Sequence, residues 1–166
     1  DEPAAALQEK LDQLLKEAAR VAVALDRANG TVVGVPHYSV IEARAHELGR
    51  KLSRTVQASH MGEMASHATC VVQCPACGTR CEVVPKQRRV TSIDGPLDFD
   101  EPAGYSPDAA GGFSPLRVAL GLDSRELTPG LVRRITNAGA EARSFKRAAI
   151  VMKRVAGEPV SAKTIE

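Results

Sequence analysis

The chain contains 166 residues, 43% of them hydrophobic and 25% charged, with a formal net charge of +2, a composition that excludes wholesale disorder. Aromatic residues make up only 3%, so the predicted core consists of aliphatic side chains, which suit narrow seams between helices better than a β-sandwich. Because no apolar run approaches the roughly 20 residues of a membrane span and the N-terminus is acidic, unlike a signal peptide, we expect a cytoplasmic protein without a membrane partner.

A first helix is predicted from Pro3 to about Ala28. Proline suits the first turn of a helix, and Asn29-Gly30 ends this one because both residues tolerate left-handed backbone angles. Apolar residues recur with the alternating spacing of a coiled-coil heptad. They are Leu7, Leu11, Leu14, Ala18, Val21, Leu25 and Ala28.

A second helix is predicted from Ser39, a good N-cap residue, to about Ser59. The same apolar spacing continues through its first half, at Ile41, Ala45, Leu48 and Leu52. Two helices with matching seams and a short connection predict an antiparallel hairpin, which forms a first segment over residues 1–69. The pair is either self-contained or an arm that joins two copies of the chain.

Residues 70–115 are predicted as a second segment of short β-strands. Asp94-Gly95 lies between short apolar alternations, which is a strong signal for a β-hairpin. Residues 103–115, AGYSPDAAGGFSP, have the composition of a loop. The acidic residues of this segment, Asp94, Asp98, Asp100, Glu101 and Asp108, are expected to be solvated rather than catalytic.

Four cysteines open the second segment with the spacing C-x3-C-x2-C-x3-C: Cys70, Cys74, Cys77 and Cys81. The turn from Cys74 to Gly78 is a CPxCG knuckle, which points two thiolates at one zinc ion, and structural zinc sites use such knuckles in pairs. No second CxxC is present, so Cys70 and Cys81 would have to complete the site, and His60 and His67 are also available as ligands. Zinc binding and reduced structural thiols are both open, and a redox role lacks the surrounding βαβ unit that it needs.

Residues 116–166 return to helical patterns. Thr128 caps a helix, a second helix runs from about Ala142 to Ala156, and after a turn at residues 157–160 Ser161 caps a third. This is the pattern of a helix-turn-helix. Residues 112–166 carry 10 basic and 5 acidic side chains, which indicates either an anionic partner or an ordinary solvated surface.

The sequence therefore predicts an α+β, mainly α, protein. It combines an N-terminal antiparallel helical hairpin, a central zinc-ribbon-like β-hairpin and C-terminal helix-turn-helix-like helices.

Longer strings in the second half of the chain carry a resemblance to a known family. CPACGTRC, QRRVTSIDG and DEPAGYSPDAAGGFSPLRVALGLDSRELTPGLVRRI are similar to the N-terminal part of bacterial insertion-sequence transposases of the Kra type, within the wider DDE class. In that family a CPxCG knuckle precedes a basic β-hairpin, and a second CPxC knuckle leads into an FFPLR…LGL…LSP segment. A helix-turn-helix ending in G..VS..T follows. The resemblance covers residues 74–164.

Two departures from the family pattern limit what the resemblance implies. The second knuckle falls on Ser106 and Ala109, so the paired zinc ribbon cannot form in the family's manner. The chain also stops at Glu166, before the RNase-H-like domain that supplies three metal-binding carboxylates in such transposases. We therefore expect a truncated region without catalysis or a small-molecule substrate.

The resemblance implies a DNA-binding and assembly region of a transposase-like protein at the bacterial nucleoid. Arg88 and Arg89 on the hairpin and a set of helical side chains would contact phosphate, while Ser161, Lys163 and Thr164 would begin a base-reading helix. The helical set is Arg133, Arg134, Arg143, Lys146, Arg147, Lys153 and Arg154. The alternative is a helical-hairpin interaction module, dimeric through the leucine seam, with a small metal-stabilised or decayed ribbon.

Overall fold

A computed structural model describes residues 2–122, 126–156 and 161–165. Within these ranges the chain is α+β, with six α-helices and a four-stranded antiparallel sheet, so the coarse fold class is confirmed. Its contacts divide it into two compact units, Asp1–Gly49 and Arg50–Glu166. The predicted boundaries at residues 69 and 115 lie close to changes of secondary structure. No described helix is long and apolar enough to cross a membrane.

The first unit contains helix α1, Ala4–Ala28, and the start of helix α2, Tyr38–Ser66. Pro3 and Asn29 flank α1 as predicted. Neither helix has a buried residue, so the predicted apolar seam of a helical hairpin is not covered here. The contact that joins the two helices in this unit is an ion pair, with Arg44 Nη2 at 2.7 Å from Asp26 Oδ1.

Helix α2 ends at Ser66, later than the predicted end near Ser59. The extension has a packing reason, because Met61 lies against a cluster of buried apolar residues from the sheet. Polar contacts hold the same helix to the sheet: Ser53 Oγ donates to Asp94 Oδ2 and Arg54 Nη1 donates to the Asp94 carbonyl, both at 2.6 Å. Neither contact has a pattern that sequence periodicity would reveal.

The sheet has the order β1-β2-β3-β4, with β1 Val71–Gln73, β2 Arg80–Ser92, β3 Gly95–Ser106 and β4 Gly111–Phe113. Strands β2 and β3 form the predicted hairpin, and Ser92 pairs with Gly95, so the turn residues are Ile93 and Asp94, one position earlier than expected. The Ser92 hydroxyl accepts the Asp94 N–H at 3.1 Å. Val90, Leu97 and Phe99 form the buried apolar cluster of this hairpin.

The prediction of a loop over residues 103–115 is wrong. Strand β3 continues to Ser106 and β4 returns antiparallel beside it, with Gly104 opposite Phe113. A Cβ atom built on Gly104 would lie 2.8 Å from Phe113 Cζ, so the glycine makes room for the aromatic ring across the strands. Gly104, one of the glycines that gave this segment its loop-like composition, is therefore a packing residue of the sheet.

Replacing Gly104 by Ala tests this packing. The added methyl group meets both the Phe113 ring and Val83 Cγ1, the latter at 3.2 Å, so we expect a loss of about 1–3 kcal/mol in the free energy of unfolding. Gly112→Ala is the matched control, because its nearest neighbouring atom would lie at an ordinary 3.7 Å. Urea unfolding of both variants measures the difference, and equal stabilities would contradict the packing role.

Four further helices follow the sheet: α3 Pro115–Ala119, α4 Pro129–Glu141, α5 Phe145–Val151 and α6 Ala162–Ile165, with a π-helical turn at Met152–Ala156. Helix α4 begins at the predicted position, after Thr128, but the predicted side-chain cap is wrong, because Thr128 makes no capping hydrogen bond. Helix α5 begins after the predicted Ala142, because the Ser144 side chain accepts the Arg147 N–H at 3.2 Å and caps it there. The predicted turn at 157–160 lies outside the described residues.

The C-terminal helices share one small core. Its buried members are Leu131, Ile135, Ala148, Met152 and Ile165. Phe145 is 43% exposed, because the core is filled by aliphatic side chains without it. This core fixes which faces of the helices point to solvent.

Candidate nucleic-acid interface

Helix α4 carries its basic residues on the side opposite the core. Leu131 and Ile135 are buried and one turn apart, whereas Arg133 and Arg134 between them are exposed. This is the arrangement of an amphipathic helix, in which residues four positions apart share a face. The burial of the two apolar residues therefore holds both guanidinium groups towards water.

The following helices repeat this arrangement. Lys146 and Arg147 precede the buried Ala148, and Lys153 and Arg154 follow the buried Met152. Helix α6 packs closely on α4, since a Cβ atom on Gly139 would lie 3.1 Å from Ile165 Cγ2. The exposed basic residues of these elements are named the basic surface. They are Arg133, Arg134, Arg143, Lys146, Arg147, Lys153, Arg154 and Lys163.

The basic surface is not neutralised by neighbouring carboxylates. Within 129–156 and 161–165, Glu141 is the one acidic residue, and none of the basic surface residues makes an ion pair in the described structure. Some basic residues elsewhere are paired, as Arg44 is with Asp26. Several unpaired charges of one sign on adjacent helices give a positive potential that attracts anions.

Arg88, predicted as a phosphate contact, lies instead in a charge cluster inside the second unit. Its Nε donates to Glu101 Oε1 at 2.9 Å, and the Glu101 side chain is 0% exposed. Arg117 Nε lies 3.9 Å from the same carboxylate oxygen, and Glu126 approaches both arginines at 3.7 Å. A buried carboxylate needs such partners because it has lost its water.

Glu101 was predicted to be solvated, which is wrong, and the sequence contained the signal. Alternate residues of a strand share one face, and Leu97, Phe99 and Glu101 are all buried at this spacing in β3. The same alternation that identifies the apolar residues thus places a carboxylate in the core. Arg117 and Glu126 lie outside the hairpin, and no sequence pattern connects them to it.

Arg89, the second hairpin arginine, is paired at the surface. Its Nε and Nη2 donate to the two oxygens of Asp98 at 2.8 and 2.9 Å. These hydrogen bonds raise the pKa of Arg89 and lower the pKa of Asp98. Since both side chains are well exposed, the pair exchanges readily with water and contributes little to stability.

Two of the residues expected to begin a base-reading helix, Ser161 and Thr164, form hydrogen bonds with each other. Ser161 Oγ accepts the Thr164 N–H at 3.1 Å, which is the predicted N-cap, and also lies 2.8 Å from Thr164 Oγ1. Lys163 is exposed on the same short helix. The structure thus gives the Ser161 hydroxyl a capping role, while base recognition by this helix stays a prediction.

The four cysteines are not gathered into one site. Among the described residues, no three side chains of Cys, His, Asp or Glu are placed to hold a metal ion, so the residues present do not fit the zinc site predicted from Cys70, Cys74, Cys77 and Cys81. Cys81 pairs with Val72 across the strands and its thiol donates to the Thr79 carbonyl at 3.4 Å.

The first knuckle nevertheless has its expected backbone. The Gly78 N–H donates to the Cys74 carbonyl at 2.9 Å, and Gly78 has a φ of +75°, a left-handed angle that favours glycine. Facing it is the turn that follows Ser106. Cys77 Sγ lies 3.1 Å from Ser106 Oγ, and Thr79 Oγ1 donates to Asp108 Oδ2 at 2.7 Å. Hydrogen bonds therefore connect the two turns.

The contact with Ser106 changes the pKa of the Cys77 thiol, and the rate of alkylation tests this change. A hydrogen bond from Ser106, with further ones from Thr79, lowers the pKa of the exposed Cys77 from 9.0 to about 7. The thiolate is the reactive form, so alkylation of Cys77 by iodoacetamide, followed by peptide mass spectrometry, should show a half-maximal rate near pH 7. Ser106→Ala removes the donor and should move this midpoint to higher pH. Ser59→Ala, an exposed serine of α2, should leave it unchanged; an unshifted midpoint in Ser106→Ala would disprove the coupling.

Comparison of the chain with models of protein families, with curated proteins and with solved structures gives no match. The resemblance to Kra-type transposases therefore stays a prediction, and the functional argument rests on the geometry of the chain itself.

Proposed function

We propose that this chain is a DNA-binding and assembly module that grips the phosphate backbone of duplex DNA through the basic surface of α4, α5, the π-helical turn and α6. The observation that carries the proposal is the exposure of eight basic side chains without an ion pair in the described structure. Phosphate contacts supply most of the affinity of non-specific DNA binding, and they need free cations of this kind.

The composition of the basic surface favours a duplex over a single strand. Five of its members are arginines, whose planar guanidinium groups bind phosphate oxygens in pairs. Proteins that bind single strands also present aromatic side chains on which the bases stack. Phe145 is the one aromatic residue in the described helices that follow Thr128, so a stacking platform is lacking there.

The hairpin arginines take a smaller part in this proposal. Arg88 is committed to the buried Glu101, while Arg89 contributes to phosphate binding by exchanging Asp98 for phosphate. Lys163 joins the phosphate contacts, and Ser161 and Thr164 order its helix. The proposal assigns binding and assembly to the chain and no chemical reaction.

Fluorescence anisotropy of a labelled duplex of random sequence tests the proposal. The titration is made at about 50 and 200 mM salt, because release of counterions makes phosphate binding strongly dependent on salt. A labelled single strand of the same sequence serves as the comparison. Failure to bind the duplex at the lower salt concentration would refute the proposal. Equal affinity for the duplex and for the single strand would refute the proposed preference for a duplex.

A further inference from the structure

The apolar stripe of α1 has no partner among the described residues. We define the α1 stripe as Leu7, Leu11, Leu14, Ala18, Val21 and Leu25. The exposed fraction of its leucine and valine side chains lies between 48% and 59%. The helix is 25 residues long and buries none of them, although its spacing is that of a coiled-coil seam.

A helix of this kind needs a partner for its stability. Most of the stability of a helix in a protein comes from packing of its amphipathic face, since nucleation is costly and each added residue gains little in water. Helix α1 has no such packing, and the Arg44–Asp26 ion pair holds only its C-terminal end. We therefore expect the leucines of α1 to pack against a second apolar surface with the same spacing.

Two charged residues flank the α1 stripe along one edge, and they indicate which apolar surface packs against it. Lys10 and Glu17 are one heptad apart and both lie in the position before a seam residue, beside Leu11 and Ala18 respectively. In a coiled coil, residues at such flanking positions form the ion pairs that select partner and orientation.

We propose that α1 pairs antiparallel with α1 of a second copy of this chain, with Leu11 of one copy opposite Leu14 of the other. This register brings Lys10 of each copy beside Glu17 of the other, so the pair of helices gains two equivalent ion pairs. Leu7 then packs against Ala18, and the two central layers of the seam each join Leu11 to Leu14. The proposal concerns a surface remote in sequence from the basic surface and does not depend on DNA binding.

Other pairings of the same helix lack this charge match. A parallel pair places Lys10 beside Leu15 and Glu17 beside Ala22. If the antiparallel helices are instead shifted by one heptad, so that they overlap along their full length, Glu17 lies opposite Glu17 of the second copy. These like charges repel. Glu17 pairs with Arg20 within its own helix at 3.1 Å, but both side chains are more than 60% exposed, so this contact is easily exchanged.

Charge-exchange variants of the full chain test the proposal in sedimentation velocity experiments. The wild type should be a dimer. Lys10→Glu or Glu17→Lys alone places like charges in both contacts and should raise the dimer dissociation constant about tenfold. An equimolar mixture of the two single variants should form a heterodimer with the affinity of the wild type, because every contact then joins opposite charges. The double variant K10E/E17K should likewise recover the homodimer.

Leu14→Glu provides an independent check of the seam and should give a monomer with unchanged sheet content in circular dichroism. A monomeric wild type at high concentration would overturn the proposal, as would a Leu14→Glu variant that remains dimeric. Loss of dimer in both charge variants without recovery in their mixture would overturn the antiparallel register. None of these measurements contains DNA, so their failure is separate from failure of the proposed function.

Discussion

Replacing Arg88 by Met should lower the free energy of unfolding by about 3 kcal/mol, the cost of leaving a buried carboxylate without its main partner. Glu101 has no exposure to solvent, and its Oε1 receives a hydrogen bond from Arg88 Nε at 2.9 Å. Without that bond the closest cationic atom is Arg117 Nε at 3.9 Å. The corresponding fall in melting temperature is roughly 10 °C, measured by thermal circular dichroism.

Two variants make this expectation specific. Arg89→Met removes the neighbouring arginine from an exposed pair and should leave the melting temperature almost unchanged. Arg88→Met combined with Glu101→Leu removes both charges, and the apolar pair should recover much of the lost stability. If Arg88→Met melts like Arg89→Met, then the buried cluster does not stabilise the fold and the assignment fails.

The sequence predicted elements wherever local chemistry decides the structure. Helix α1 was predicted from its heptad spacing and its end residues, and the β2–β3 hairpin from its turn and its alternation. The start of α4 and the cap of α6 followed from Thr128 and Ser161 in the same way. In each case the determining contacts lie within a few residues along the chain.

The predictions from sequence were wrong where contacts between residues far apart along the chain determine the structure. Residues 103–115 contain glycine as a loop would, but Gly104 is selected by the ring of Phe113 across two strands. Helix α2 extends to Ser66 because Met61 meets the hairpin, which its own periodicity does not disclose. Cysteine spacing alone likewise did not show that Cys77 contacts Ser106, a residue 29 positions further along the chain.

Some arginines of this chain are held in ion pairs and others are exposed without one. The difference follows from the burial of neighbouring residues rather than from the composition of the surrounding sequence. The family resemblance implied phosphate contacts for both Arg88 and Arg133. The structure separates them, since β3 supplies Glu101 to the first, while no acidic residue in the described helices pairs with the second. A charge surplus therefore becomes a candidate binding surface only after internal ion pairs have been subtracted.

Reversing the charge of Arg133 and Arg134 together should weaken duplex binding roughly a hundredfold at 50 mM salt and roughly tenfold at 200 mM. Each lost phosphate contact removes about 0.9 from the slope of log affinity against log salt, so the slope should become less steep by roughly two. Six contacts in the wild type would give a loss of about a thousandfold between these salt concentrations. Duplexes of different sequence should be affected alike, because phosphate contacts carry no sequence information.

The control for this prediction must change net charge equally without touching the basic surface. Lys16→Glu with Arg27→Glu does so, since both residues are exposed on α1 and lie off its apolar seam. This variant should retain both the affinity and the salt dependence of the wild type, because it removes none of the proposed phosphate contacts. Equal losses in the two variants would mean that net charge attracts DNA without a defined surface. An unchanged affinity in the Arg133 and Arg134 variant would remove α4 from the interface and leave the α5 and π-turn residues to be tested alone.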